Sequence, residues 1–265
     1  MDNKSFSKRY PILTFLALTF FLSWGGAFVI MFPRFLLGQP LQQTDGFIMF
    51  PIMILGPAIA GITLTVVTEG RAGLRDLQKR LSAWRVDKWW YIAAVLIPPV
   101  GILLTLFTLT TFKSDDFTPG FFLIGFLFGL PAGILEEIGW MGYAFPKMRL
   151  KFGSFNAAIL LGILWGFWHL PVIDFLGTAT PHGYYFWNFF GAFIAVLAAI
   201  RIIIVWIYSH TQSVFICQLL HIISTGSLVV FSPSPLLPSK EALWYAVYAG
   251  LLWIFVRIIK YNIRD

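Results

Sequence analysis

Apolar runs of about 20 residues occupy most of this chain, and each is long enough to cross a bilayer as a helix. The eight runs lie at about residues 11–32, 47–68, 89–112, 119–143, 155–174, 185–208, 213–231 and 241–259. A helix suits runs of this length because its backbone groups bond to one another and need no water. The sequence therefore predicts an all-α, polytopic membrane protein with eight transmembrane helices, which form a single integral membrane domain over residues 1–265.

The composition agrees with a chain whose main solvent is lipid. Hydrophobic residues make up 58% of the sequence and charged residues 12%, whereas a soluble domain carries about 25% charged residues. The net charge of +7 does not indicate a nucleic-acid partner, because the basic residues lie in short loops between apolar runs. The single cysteine, Cys217, excludes an intrachain disulfide and a cysteine-based metal cluster, and we expect it to be a small core residue.

The distribution of basic residues predicts the orientation of the chain. An even number of spans places both termini on the same side of the membrane. If that side is the cytoplasm, fifteen Lys and Arg residues lie on it, and only Arg34, Lys113 and Lys240 lie outside. This bias follows the positive-inside rule. We therefore predict a multi-pass protein of the cell (plasma) membrane with both termini in the cytoplasm.

The segment 69–88 is the one long cytoplasmic connection in this topology. Leu74, Leu77, Leu81 and Trp84 recur at helical intervals among its basic residues. The pattern favours an amphipathic helix on the anionic inner leaflet, and the alternative is a solvated basic loop.

Two adjacent carboxylates, Glu136 and Glu137, lie inside the fourth apolar run. A charged group at the centre of a membrane costs about 2.5–3.5 kcal/mol on insertion scales, so such residues are functional candidates. Gly125, Gly129 and Gly133 precede Glu137 at intervals of four, and such a stripe of small residues predicts a close helix contact at Glu137. The alternative is that the pair lies near the cytoplasmic end of the span and reaches water.

Histidines lie in two further apolar runs. His169 is in the fifth run, where Ala158, Gly162 and Gly166 form a second stripe of small residues that predicts close packing. His221 is in the seventh run, on a polar face that also includes Thr225. Such a face must contact protein or a water-filled cavity rather than lipid. His182 and His210 fall in predicted loops, and we assign them no role.

If Glu136, Glu137, His169 and His221 converge, they form a site that can activate water. A carboxylate would take a proton from water while an imidazole orients or shares it. Alternatively, His169, His221 and Glu136 match the two-histidine, one-carboxylate ligand set of a catalytic zinc. Both routes lead to hydrolysis inside the membrane boundary. The spans contain neither an HExxH zinc motif nor a GxSxG nucleophile elbow.

Three motifs in this order resemble those of the CPBP family of intramembrane metalloproteases, also called the Abi or CAAX-protease-like family. The first family motif, EExxxR, reads from Glu136 to Met141. The second, an aromatic residue followed by xxxH, reads from Trp165 to His169. The third, HxxxN, reads from His221 to Thr225. The resemblance extends over about residues 50–260, and the protease core would occupy about 119–231.

The resemblance implies an eight-helix bundle and an endopeptidase that acts on a membrane-associated peptide or protein, such as a prenylated CAAX substrate. By position in the motifs, Glu136 becomes the general base and His169 its partner. His221 becomes an oxyanion or metal-ligand residue, and Glu137 and Thr225 complete the catalytic set. The family implies a zinc ion at His169, His221 and Glu136, although a metal-independent mechanism is also open.

Two positions depart from the family pattern. Met141 replaces the motif arginine, which leaves Glu137 either protonated or paired with a group that the sequence does not identify. Thr225 replaces the motif asparagine and offers one hydrogen-bond donor in place of two. An alternative hypothesis is therefore a weakened or inactive family member that acts as a bacteriocin-immunity or membrane scaffold protein. A third is a proton-coupled transporter, because buried carboxylates and histidines also form proton relays.

Overall fold

Most of the chain that the structure describes is helical. This computed structural model describes residues 6–176, 179–233 and 235–265, and no strand occurs within these ranges. The main helices are α1 (Pro11–Leu36), α2 (Gln43–Leu81), α3 (Lys88–Phe112), α4 (Leu123–Phe152), α5 (Ser154–Trp168), α6 (Phe186–Thr211), α7 (Val214–Phe231) and α8 (Pro238–Ile259).

Seven helices in the described ranges are long and apolar enough to cross a membrane. The exception is α5, which has 15 residues and extends about 22 Å at the α-helical rise. The predicted all-α, multi-pass membrane protein is thus confirmed. The count of eight spans, the cytoplasmic termini and the plasma membrane location stay predictions.

The helix α5 ends earlier than the apolar run that predicted it. We expected a span to residue 174, but the helix stops at Trp168, and a single 3-10 turn follows at Ile173–Phe175. The reason is Pro171, which lacks an N–H group and restricts the residue before it to extended conformations. His169 therefore lies at the end of α5 and not within a continuous helix.

The helix α4 extends further than its predicted end at residue 143. It passes through a π-helical turn, Trp140–Ala144, and continues to Phe152. Glu136 therefore lies 16 residues before the helix end, or about 24 Å at the α-helical rise. This distance is close to the length of α5, so Glu136 and His169 lie at similar distances from the α4–α5 connection.

Both predicted stripes of small residues are helix contacts. A Cβ atom at Gly133 would lie 2.7 Å from the backbone nitrogen of Ile222 on α7, and one at Gly162 would lie 2.6 Å from the Cα of Ala198 on α6. Such close backbone approach is possible only with small residues. The stripes thus hold α4 against α7 and α5 against α6, and these four helices carry the predicted site.

The predicted amphipathic helix forms over residues 71–81, after a break at Gly70, whose φ of 66° and ψ of −150° are not helical. Leu77 on this helix is buried. Arg80 donates from Nη2 to the carbonyl oxygen of Gly142 at 2.9 Å. The buried face of this short helix therefore contacts the π-helical turn of α4, a contact that the sequence pattern does not predict.

The α4–α7 contact provides a test of the packing. A Cβ atom at Gly129 would overlap the carbonyl oxygen of Ile222, whereas one at Gly191 on α6 would meet nothing within 4 Å. We expect Gly129→Ala to lower the stability of the detergent-purified protein by about 1–3 kcal/mol, the usual effect of overpacking. Gly191→Ala is the matched control and should melt within error of the wild type. Equal melting temperatures for the two variants would contradict the contact.

Candidate active site

Four of the predicted site residues meet at one internal cavity. Glu136 of α4, His169 at the end of α5, and His221 and Thr225 of α7 all line a cavity of about 230 Å³. The other wall residues are mostly apolar, and they come from α2, α4, α5, α6, α7, α8 and the loop after α5. The three motifs, which are far apart in sequence, therefore come together around a single space large enough for water and part of a substrate.

Both adjacent carboxylates are inside the protein. Glu136 is 1% exposed and Glu137 is fully buried. The alternative that the pair reaches water at the end of the span is therefore wrong, because α4 continues beyond it and other helices surround it. Glu137 lies outside the cavity wall, so the two carboxylates occupy different environments.

One oxygen of Glu136 is held by a tryptophan. The indole Nε1 of Trp165 on α5 donates to Oε2 of Glu136 at 2.7 Å. Trp165 is 3% exposed, so water does not compete effectively for this hydrogen bond. The bond orients the carboxylate while Oε1 is free of this constraint. The motif had indicated an aromatic residue here, but it did not reveal that the residue bonds to Glu136.

The His169 ring is oriented by its own helix. Its Nδ1 lies 2.8 Å from the carbonyl oxygen of Trp165, one turn earlier. A carbonyl oxygen only accepts, so Nδ1 carries the proton and Nε2 is the acceptor of the neutral ring. The rings of Trp168 and Phe193 contact the imidazole edge to face, with centroids 4.8 and 5.2 Å away. His169 can therefore present a basic nitrogen in a fixed direction.

Glu137 bonds to a histidine and an arginine. Its Oε1 lies 2.7 Å from Nδ1 of His221, and its Oε2 accepts from Nη1 of Arg201 on α6 at 2.6 Å. Arg201 is fully buried, and its guanidinium carbon lies 4.3 Å from the centre of the Trp165 ring. The motifs alone do not identify this partner of Glu137. The available signal was an arginine within an apolar run, where a charge requires a partner.

A second cavity adjoins the first. It has a volume of about 270 Å³, and it shares Phe50, Leu176, Thr225 and Val229 with the wall of the first cavity. Phenylalanines from α2, α4 and the loop after α5 line much of it. An apolar space therefore lies directly beside the carboxylate and the histidines.

A zinc ion at Glu136, His169 and His221 stays a prediction. Among the described residues, no three His, Cys, Asp or Glu side chains are placed to hold a metal ion. Oε2 of Glu136 accepts from Trp165 and Nδ1 of His221 bonds to Glu137, so Oε1 of Glu136 and Nε2 of His221 are the atoms that would bind a metal ion. We therefore derive the chemistry of the site from the protein side chains alone.

The loop after α5 is attached to α8 through His182, a residue to which the sequence motifs give no role. The ring is buried, with Nδ1 2.8 Å from Asp174 and Nε2 3.4 Å from Glu241. It stacks on Phe189 at a centroid distance of 3.9 Å. Burial lowers the pKa of His182, but the interactions with Glu241 and Asp174 outweigh burial and raise it. The same loop supplies Leu176 to the cavity wall.

Two other residues lie away from the cavity. His210 is in the last turn of α6, 4.8 Å from the ring of Trp90, so its predicted loop position is wrong because the helix continues to Thr211. Cys217 is buried in α7, as predicted.

The fold and the cavity define a polytopic membrane protein with a buried carboxylate–histidine site. Residues 118–226 match the family described as Type II CAAX prenyl endopeptidase Rce1-like. The chain is also similar to CAAX prenyl protease 2 of Methanococcus maripaludis, with 27% identity over 236 residues, which cover 81% of this chain and 80% of the relative. The chain is thus similar to the CAAX-protease-like (CPBP) family that its three motifs resemble, and a protease is the class of protein that these similarities support.

The bond from Trp165 to Glu136 can be tested by Trp165→Phe, which keeps an aromatic ring but removes the N–H donor. A hydrogen bond to a charged group contributes about 1.5–3 kcal/mol. We therefore expect the turnover number for cleavage of a membrane peptide to fall by about 10- to 100-fold.

The matched control for this substitution is Trp253→Phe. Trp253 on α8 donates its indole N–H to the carbonyl oxygen of Ala195 at 3.0 Å, away from the cavity. The Trp253→Phe variant should retain the wild-type turnover number. A Trp165→Phe enzyme as active as this control would show that the orientation of Glu136 does not depend on the indole.

The charge on His182 makes the loop attachment dependent on pH. Because the pKa is raised above the ordinary 6.5, the stabilisation is fully present below about pH 6.5 and is lost as the pH rises through the raised pKa. As the pH rises from about 6.5 through the raised pKa of His182, we expect the melting temperature to fall. Amide exchange in residues 179–185 should become faster over the same pH range. His182→Asn should lose this pH dependence, and His210→Asn should retain it. An unchanged pH dependence in His182→Asn would contradict the assignment.

Proposed function

We propose that this protein is an intramembrane endopeptidase that hydrolyses a peptide bond in a membrane-associated, prenylated-type substrate. The observation that carries the proposal is the meeting of Glu136, His169 and His221 at one buried cavity. The name of the relative, a CAAX prenyl protease, supports the class of substrate. The proposed catalytic residues all fall within the predicted core, 119–231.

Glu136 is the proposed general base. With Oε2 held by Trp165, Oε1 accepts a proton from a water molecule in the cavity, and the oxygen of that water attacks the scissile carbonyl carbon. His169, protonated at Nδ1, offers Nε2 to orient the same water. Glu136 then passes the proton to the leaving amine as the peptide bond breaks. The two residues come from different helices, so the geometry depends on the α4–α5 arrangement.

His221 and Thr225 are the proposed oxyanion residues. When His221 is protonated, Glu137 accepts from Nδ1, and Nε2–H can donate to the negative oxygen of the tetrahedral intermediate. Thr225 lines the same wall and can add its hydroxyl donor. Replacing the motif asparagine with Thr225 therefore removes one hydrogen-bond donor and leaves one, the threonine hydroxyl.

The second cavity supports a substrate that carries a hydrocarbon group. Its aromatic wall offers apolar contact beside the site, and Thr225 belongs to both cavities. A prenyl group in this cavity would place the adjoining peptide near Glu136.

The proposal is tested with protein purified in detergent and a farnesylated CAAX peptide. Glu136→Gln keeps the size of the side chain but removes its basicity, and we expect a loss of about 10²–10⁴-fold in turnover. Glu69→Gln is the control, because Glu69 is on the surface and pairs with Lys147.

Equal cleavage by the wild type and Glu136→Gln would exclude this mechanism. No cleavage by the wild type, together with a biological effect that survives Glu136→Gln, would instead favour the immunity or scaffold hypothesis. Zinc at His169, His221 and Glu136 stays a prediction, and metal analysis of the same purified protein tests it.

A further inference from the structure

The first family motif has an arginine four residues after Glu137. In this chain Arg201 forms an ion pair with Glu137 instead. The motif position itself is Met141, which is buried and has no charge. The guanidinium instead comes from α6, 64 residues along the chain from Glu137, and its Nη1 lies 2.6 Å from Oε2. Both charges are fully buried, so each compensates the other in a region where neither can bind bulk water.

A second arginine lies near Met141 but does not serve this purpose. Arg80 points towards the same turn of α4, with Nη2 2.9 Å from the carbonyl oxygen of Gly142. Its Nε pairs with Asp76. Arg80 therefore bonds to backbone oxygens that the π-helical turn leaves available, whereas Arg201 bonds directly to the carboxylate.

The guanidinium contacts two chains of interactions that lead to the cavity. Through Glu137 it is connected to His221, and through the ring of Trp165 it is connected to Glu136. The rings of Trp165 and His221 also contact each other, with centroids 4.9 Å apart. A single cation thus supports both the proposed base and the proposed oxyanion residue without lining the cavity itself.

The small-residue stripe on α5 allows this arrangement. A Cβ atom at Gly162 would lie 3.1 Å from the Cβ of Arg201 and 2.6 Å from the Cα of Ala198. Gly162 precedes Trp165 by almost one turn. The closest approach of α5 to α6 therefore lies next to the contact between Arg201 and the Trp165 ring. The sequence thus provides both the arginine and the space that brings it to α4 and α5.

We infer that Arg201 is the positioning residue that replaces the missing motif arginine, and that it orients His221 through Glu137 and Glu136 through Trp165. This inference rests on the proposed proteolytic function for its effect on turnover. The charge pairing on which it depends can be measured separately, through the stability of the protein.

The kinetic test compares Arg201→Met, Arg201→Lys and the double variant Arg201→Met/Met141→Arg, with the exposed Arg257→Met as control. Misplaced catalytic groups typically reduce turnover by about 100-fold, and we expect this loss in kcat for Arg201→Met with KM changed less than about threefold, because Arg201 does not contact substrate. Arg201→Lys keeps the charge but not the planar stacking, and should lie between Arg201→Met and the wild type. The double variant should recover about tenfold in kcat if the motif position can supply the cation again.

A kcat for Arg201→Met within threefold of wild type would overturn the inference, as would a loss confined to KM. The stability test uses a cycle of Arg201→Met, Glu137→Gln and the double variant, each measured by thermal melting. Removing one member of a buried pair leaves an uncompensated charge, so the double variant should melt higher than Arg201→Met alone. Additive losses would show that the two residues do not act as a pair. Because melting needs no substrate, the cycle gives its answer even if the wild type cleaves nothing.

Discussion

The ion pair between Arg201 and Glu137 is the interaction on which the arrangement of the cavity depends. Two opposite charges inside an apolar bundle tolerate little displacement, because separation leaves each without water or another counter-charge. The pair connects α6 to α4, and the stacking of Arg201 on Trp165 adds α5. His221 of α7 completes the group through Glu137. Four of the helices that line the cavity, α4, α5, α6 and α7, are therefore joined by these contacts.

Close helix packing makes these polar contacts possible. In lipid the hydrophobic effect does not drive helices together, and small residues permit the van der Waals contact that does. Gly133 brings α4 to α7, and Gly162 brings α5 to α6. Trp165 and Glu137, three and four residues from these glycines, are consequently at hydrogen-bond distance from their partners. The glycines that permit close packing thus lie within about one helical turn of the side chains that form the site.

Apolar run length predicted the membrane helices well but their ends poorly. The helix α5 is shorter than its apolar run because Pro171 follows it, and α4 is longer because basic residues after residue 143 continue the helix. These two differences place Glu136 and His169 at similar distances from the α4–α5 connection. Lipid contact requires apolar residues, whereas a helix can extend into the polar region, so hydropathy alone does not mark helix ends.

The sequence by itself determined the fold class of the protein, and it predicted most members of the candidate site. The motifs named Glu136, His169, His221 and Thr225, and the stripes of small residues identified the contact faces, because such signals are local. Only the tertiary structure decided that Arg201 is the partner of Glu137. Glu137 lies on α4 and Arg201 on α6, and no local period relates them. Their pairing follows from which helix faces meet, and that is a property of the folded bundle.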